Sequence, residues 1–392
     1  MERSFKKEVQ ALKLGDGETF RGEGILAVTK ALLQSGVSYV GGYQGAPVSH
    51  LLDVLVDAED IMGELGVHLE TCSNEASAAA MLGASINYPL RGAVTWKSIV
   101  GTNVAADALS NLASPGVVGG AMIILGEDYG EGASVIQERS YAYAMKSSMW
   151  LLDPRPDLPT IVRMVEKGFE LSEASHAPVM LELRIRACHM TGEFAAKDNR
   201  RPQFSGVNRL SGPPKFDYVR LSHPPVTFLH EKLKVEQRAP AAQAFIRAEQ
   251  LNEVFPGDLS DIGIITLGGL TSGLFRALER LGLADMFEAV FDIHQADYLP
   301  KPNHAAYAMF VRRFAVEPRS AAMVEDIAPN LVPAHALGMT TAWIPGGPDW
   351  TQAEPDAPHI HHVVEDLAAW LAQVPASRPK RRRTHGRMRH PV

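Results

Sequence analysis

Residues 36–57 read GVSYVGGYQGAPVSHLLDVLVD, and this stretch decides the fold. Residues 37–40 form a short apolar strand. Residues 41–47, GGYQGAP, are a loop punctuated by glycine and proline. Residues 49–63 then read as a helix. The same unit recurs on both sides. An amphipathic helix precedes it at 24–34. A strand follows at 67–70, then a small-residue helix, suited to close packing, at 75–86. Further on come a strand at 92–96, a helix at 103–112, a buried strand at 121–125, a helix at 157–175 and a strand at 178–184. Strands alternating with helices, with glycine at the turns, predict an α/β fold: a parallel sheet with helices on both faces.

Residues 193–235 change character. Pro202, Pro213, Pro214, Pro224 and Pro225 interrupt a polar stretch with little periodicity, and a helix follows at 239–251. A second α/β stretch begins at 262. IGIITLGG is a strand and turn, followed by a helix at 270–281, a strand at 289–293 and a helix at 304–314. A strand at 321–324, a helix at 329–337, a strand at 340–344 and a helix at 363–373 complete it. No internal repeat recurs at a fixed period. The expected organisation is a first domain over 1–192 and an irregular linker plus helix over 193–257. A smaller α/β domain over 258–375 and a basic disordered tail over 376–392 follow.

The 392 residues are 46% hydrophobic and 21% charged, which supplies a sizeable core. Disorder, collagen and a disulfide scaffold are excluded for the chain as a whole. The longest nearly unbroken apolar run, 116–125, is about half of a bilayer span, so no membrane anchorage is expected. The opening MERSFKKEVQALKLGDG has no apolar core, so no secretory signal is expected either. Cys72 and Cys188 stand far apart and form no CxxC, which leaves no iron–sulfur cluster or cysteine-type zinc site to this chain alone. A cytoplasmic location is the expectation. The net charge of −7 hides an asymmetry, because residues 378–392 carry seven Lys/Arg and no acid. An acidic body with a basic tail argues against a distributed nucleic-acid surface.

Among single residues, Asn74 is placed to cap the helix that opens at Glu75. Glu75 then lies in the first turn, where the helix dipole favours a carboxylate, and local chemistry alone makes it a capping acid. Glu127 and Asp128 follow a buried strand at the end where α/β folds place ligands. They read as metal ligands or, more commonly, as turn acids. His359, His361 and His362 read as a weak metal site or as a surface loop.

Several motifs in order carry a resemblance. They are GVSYVGGYQGAPVSHLLDVL, NEASAAAMLGAS, GAVTWKSIVGTNVAADALSNL, GGAMIILGEDYGEGASVIQERSYAYA, LLDPRPDL and GFELSEASHAPVMLELRIRACH. Together they resemble the N-terminal part of indolepyruvate:ferredoxin oxidoreductases, which are thiamine-diphosphate-dependent 2-oxoacid:ferredoxin oxidoreductases. The resemblance implies a pyrimidine-binding-type domain. It places on Glu75 the carboxyl that meets N1′ of the aminopyrimidine and favours its imino form. It implies cofactor contacts from Asn74, Thr102 and Asn103, and substrate contacts from Tyr43 and Ser49. Ser49 reads by itself as a helix N-cap, and Asn103 equally as a helix start. The family loop is similar to YPGTPSS, and Ala46 stands where its threonine would be. Gly15-Asp16-Gly17 looks like the GDG of a thiamine diphosphate site. No asparagine follows before Asn74 to hold Mg²⁺ with Asp16, so it reads as a turn. The implied cofactor is thiamine diphosphate with Mg²⁺, shared with a partner domain. The implied partners are a diphosphate-binding and iron–sulfur subunit or protomer and, through it, ferredoxin. The implied assembly is an oligomer acting on an aryl 2-oxoacid.

Residues from about 278 to 345 resemble a second family, the C-terminal half of haloacid-dehalogenase-type phosphatases of the pyrimidine 5′-nucleotidase-like branch. This implies a Rossmann-like domain. Lys301 matches the charge-balancing lysine, Glu325 and Asp326 the Mg²⁺-holding acids, and Thr266 the phosphate-binding hydroxyl. The nucleophilic DxDxT loop is missing, so hydrolysis by this chain alone is not expected. Residues 262–266 are expected to replace the missing first strand. A gene fusion, a rearranged fragment or an assembly artefact would each give this junction.

Overall fold

A computed structural model of the chain describes residues 4–128, 139–205, 217–255, 266, 268–271, 273–275, 299, 301–345 and 356–373. The basic tail, the strand expected at 262–266 apart from Thr266, the strand expected at 289–293, and most of the helix expected at 270–281 lie outside them. The described residues fall into two compact units. One lies within Met1–Glu253 and Thr266–Ala284, the other within Val254–Ile265 and Asp285–Val392. No helix among the described residues is long and apolar enough to cross a membrane.

The first unit opens with β1 (Thr19–Glu23) and α1 (Gly24–Gln34), then β2 (Tyr39–Gly42), α2 (Ser49–Asp57) and α3 (Glu59–Leu65). Next come β3 (His68–Thr71), α4 (Glu75–Met81), α5 (Ala84–Asn87), β4 (Gly92–Lys97), α6 (Ser98–Val104), α7 (Ala106–Ala113) and β5 (Ala121–Glu127). It continues through α8 (Ser140–Ser147), β6 (Trp150–Leu152), α9 (Leu158–Ser175), β7 (Val179–Arg184), α10 (Ile185–His189) and β8 (Thr191–Ala195). Two further helices, α11 (Val226–Leu233) and α12 (Ala239–Ala248), are joined by a π turn at Lys234–Arg238.

Six strands pair in the order β3-β2-β4-β5-β7-β6, all parallel. All seven residues of β5 are buried, as a central strand requires. Side chains alternate across it. Met122 and Ile124 join one core with α1, α2 and α9, while Ile123 and Leu125 join another with α4 and α7. This is the two-faced parallel sheet that the strand–helix alternation predicts.

Several boundaries differ. The helix at 24–34 is buried all round rather than amphipathic, because α2, α9, α10, β1 and the turn at Glu8–Lys13 enclose it. Its Lys30 is fully buried and donates to the carbonyls of Leu12 and Leu14 and to Asn199 Oδ1, 2.7 Å away. Burial pushes its ammonium down to about 8. The helix expected at 75–86 breaks into α4 and α5, and the one at 103–112 begins earlier, as α6 and α7. β1 and β8 form an antiparallel pair outside the main sheet, and β6 is a short edge strand; neither has a long apolar run. Residues 193–257 are more helical than a linker. Ala242 and Ile246 of α12 join the core, and Arg238 donates to the carbonyls of Ala113, Ser114 and Pro115.

The second unit holds α13 (His304–Arg313), β9 (Ala322–Glu325), α14 (Leu331–Ala336), β10 (Thr340–Trp343), β11 (His362–Val363) and α15 (Leu367–Gln373). Among its described residues, three strands are parallel in the order β11-β10-β9. Tyr307 packs with Ala306, Ala334 and Met339 and donates its hydroxyl to the Asn330 carbonyl at 2.6 Å. The helix expected at 363–373 is shorter, since Val363 ends β11 instead.

Candidate functional site

A parallel sheet gathers its loops at the carboxyl ends of its strands. At the end of β2 the chain turns over β4. A Cβ at Gly42 would lie 2.2 Å from the Thr95 carbonyl oxygen, and one at Gly45 would lie 2.5 Å from Lys97 Cβ. Tyr43 N–H donates to that Thr95 carbonyl at 3.0 Å, and the Tyr43 side chain is 41% exposed at the rim. Ser49 is the first residue of α2 rather than its cap. The cap position falls on Val48, whose buried side chain packs near Gly126.

At the end of β3, Asn74 caps α4 as its sequence position predicts, with Oδ1 accepting from Ser77 N–H at 2.8 Å. Glu75 opens the helix and is only 6% exposed. Among the described residues, nothing hydrogen-bonds or ion-pairs with its carboxyl. A carboxyl with no partner in the chain suits a ligand that brings a nitrogen or hydroxyl donor. That chemistry fits an aminopyrimidine.

Two of the expected cofactor contacts are hydrogen-bonded within the chain. Thr102 is fully buried and accepts the Trp96 indole N–H at 3.2 Å. Asn103 sits near the end of α6 rather than at a helix start, and its Oδ1 accepts from the Tyr143 hydroxyl. Glu127 and Asp128 face inward. Glu127 accepts from Ser140 Oγ at 2.9 Å, Ser140 Oγ lies 2.7 Å from Ser98 Oγ, and Asp128 pairs with Lys97 at 2.9 Å. No group of three metal-capable side chains exists among the described residues.

The sequence reading missed a cluster beside Glu127. Arg184 Nη2 lies 2.8 Å from Glu182 Oε1 and 3.2 Å from Asp153 Oδ2, and Asp153 Oδ1 accepts from Gly269 N–H at 2.9 Å. Glu182 within the apolar VMLELR strand was the available signal. Burial, then Asp153 and Glu127, push the Glu182 carboxyl up to about 10. The folded chain therefore holds a proton that the unfolded chain releases above about 4.5. Stability falls as pH rises between those values. Glu182→Gln, which copies the protonated acid, is expected to raise Tm at pH 9 and flatten the decline, by ~2–4 °C per kcal/mol recovered. Thermal melts from pH 6 to 9 check this, and an unchanged slope would contradict it.

A groove of about 1,020 Å³ also opens beside β3 and α4, lined by Tyr39, His68, Glu70, Cys72, Met81, Tyr88 and Phe204 among others. In the second unit, Lys301 and Glu325 form an ion pair, with Glu325 8% exposed. Asp326 is exposed, and its carbonyl accepts from Trp343 Nε1 at 3.1 Å. Thr266 belongs to the first unit, so the phosphatase-like set is divided between the two. His361 Nδ1 bonds Thr341, and the His362 ring is tilted at 55° to Trp370, 5.4 Å between centroids.

No protein-family model matches the chain. It is 30% identical to indolepyruvate oxidoreductase subunit IorA of Methanothermobacter thermautotrophicus over 260 residues, 66% of this chain and 40% of that protein. It is 26% identical to the subunit of that name from Archaeoglobus fulgidus over 324 residues, 82% of this chain and 48% of that one. The chain thus spans less than half the length of these relatives. Its fold is shared with the 2-oxoglutarate:ferredoxin oxidoreductase of Magnetococcus marinus, solved with 2-oxoglutarate, coenzyme A and succinyl-CoA. The TM-score is 0.55 at 15% identity, covering 84% of this chain and 62% of that one. The sequence similarities support kinship with the 2-oxoacid oxidoreductases. None of these matches speaks for the haloacid-dehalogenase resemblance.

Proposed function

We propose that the first unit is the pyrimidine-binding part of a thiamine-diphosphate-dependent 2-oxoacid oxidoreductase, acting on an aryl 2-oxoacid such as indolepyruvate. The observation that carries this reading is Glu75, a buried carboxyl with no described partner at the carboxyl edge of a parallel sheet. When bound, thiamine diphosphate supplies the nucleophilic carbon that attacks a 2-oxo group and the sink for electrons freed by decarboxylation. Glu75 would hold the proton at N1′ of the pyrimidine, and Asn74 would keep α4 in register beneath it. Tyr43, exposed at the rim, would meet an aromatic substrate.

The rest of the machinery would come from a partner that binds the diphosphate with Mg²⁺ and carries iron–sulfur clusters on to ferredoxin. Half-exposed Val100, Val104, Tyr141 and the 74%-exposed Met145, on α6 and α8, support a subunit contact there. The test is to co-express the chain with an oxidoreductase subunit that binds the diphosphate and carries iron–sulfur clusters, and to measure 2-oxoacid-dependent reduction of ferredoxin or a viologen dye. Reduction with indolepyruvate above that with 2-oxoglutarate is expected. No reduction with any 2-oxoacid by a complex loaded with thiamine diphosphate would overturn the reading.

The second unit retains a Lys301–Glu325 pair but the sequence has no DxDxT nucleophile. With Mg²⁺ and p-nitrophenyl phosphate or a pyrimidine 5′-nucleotide, the chain is expected to release no phosphate above background. Mg²⁺-dependent turnover lost in Lys301→Ala would restore the phosphatase alternative.

A further inference from the structure

Gly101 occupies the middle of α6, where glycine costs roughly 0.5–1 kcal/mol relative to alanine. Its surroundings account for the choice. A Cβ at 101 would lie 2.4 Å from Trp96 Cδ1, 2.8 Å from Trp96 Cγ and 2.9 Å from Glu75 Cγ. All three distances are shorter than carbon atoms tolerate, so an added methyl must displace something.

The neighbours differ in how far they can yield. Trp96 is fully buried and donates its indole N–H to Thr102 on the same helix. The start of α6 is held by Ser98, which bonds Ser140, which in turn bonds Glu127; all three are buried. These bonds anchor the helix on both sides of Gly101. The two shorter contacts require a small shift between α6 and the Trp96 indole. The Glu75 side chain, which has no described partner to hold it, gives way at the third.

We propose that Gly101 is a positioning residue, whose bare α-carbon forms the wall that lets the Glu75 side chain stand in its working orientation. The inference rests on the role proposed for Glu75. Gly63 of α3 is the control, since a Cβ there meets nothing within 4 Å.

The experiment uses the assembled complex loaded with thiamine diphosphate and compares Gly101→Ala, Gly63→Ala, Glu75→Gln and the Gly101→Ala/Glu75→Gln double variant. The readouts are kcat, KM for the 2-oxoacid, the cofactor's Kd and the deuterium exchange rate at its C2 position. Gly101→Ala is expected to lower kcat and the exchange rate by roughly 10- to 100-fold, with KM and Kd within a few-fold of wild type. Gly63→Ala should change neither. In the Glu75→Gln background, Gly101→Ala should add little, because it acts through that carboxyl. An equal loss in both backgrounds, or no loss from Gly101→Ala while Glu75→Gln is impaired, would overturn the role of Gly101. Full activity of Glu75→Gln would instead overturn the reading on which it rests.

Discussion

Glu75→Gln is expected to lower 2-oxoacid-dependent acceptor reduction by the assembled complex by ~10²–10⁴-fold, the range over which a positioned proton-holding group acts. The amide keeps the volume of the side chain and can still meet a ring nitrogen. It cannot carry the negative charge that stabilises a proton there. Stability should not suffer. The carboxyl has no described partner to lose, and a neutral group is easier to bury than a charged one. Tm is therefore expected to match or exceed that of the parent chain. Matched thermal melts and turnover measurements check the pair of outcomes. Loss of activity together with a fall in Tm of more than a few degrees would mark Glu75 as a structural cap instead.

Arg184→Met is expected to produce the largest loss of stability in the first unit, about 3–5 kcal/mol. Arg184 is the cation between Asp153 and Glu182, whose side chains are 5% and 3% exposed, with Glu127 close by. Glu182 already carries a proton near neutral pH. Removing the guanidinium leaves Asp153 with only the Gly269 amide. At ~2–4 °C per kcal/mol, the fall in Tm should be on the order of 10 °C. Pairing the change with Asp153→Asn should recover much of it, since the stranded charge is then gone. A loss below ~1 kcal/mol would mean that water reaches the cluster.

The sheet was legible because its signals are local and redundant. Apolar strands such as 121–125 and the cap–acid pair Asn74–Glu75 each predict what the structure shows. What escaped depends on contacts distant in sequence. β1 reads as polar until β8 is brought beside it, and α1 reads as amphipathic until its Lys30 finds Leu12, Leu14 and Asn199. The prolines of 193–235 hid α11, although Arg238 binds three carbonyls some 125 residues away.

The site was legible in part for the same reason. Motif order places Glu75, but the fate of a hydroxyl depends on its neighbour. Thr102 is taken up by Trp96, six residues earlier, and Ser49 yields the cap position to Val48. The Lys97–Asp128 pair joins the ends of adjacent strands, and sequence spacing alone does not reveal it.

The proposed role of Glu75 is to activate the bound pyrimidine. Its most direct test is the deuterium exchange rate at C2 of thiamine diphosphate in the assembled complex, measured by rapid acid quench and NMR without substrate. The account predicts exchange far faster than for the free cofactor, falling by ~10²-fold or more in Glu75→Gln at unchanged cofactor occupancy. Equal rates in the two proteins, both fully loaded, would contradict it.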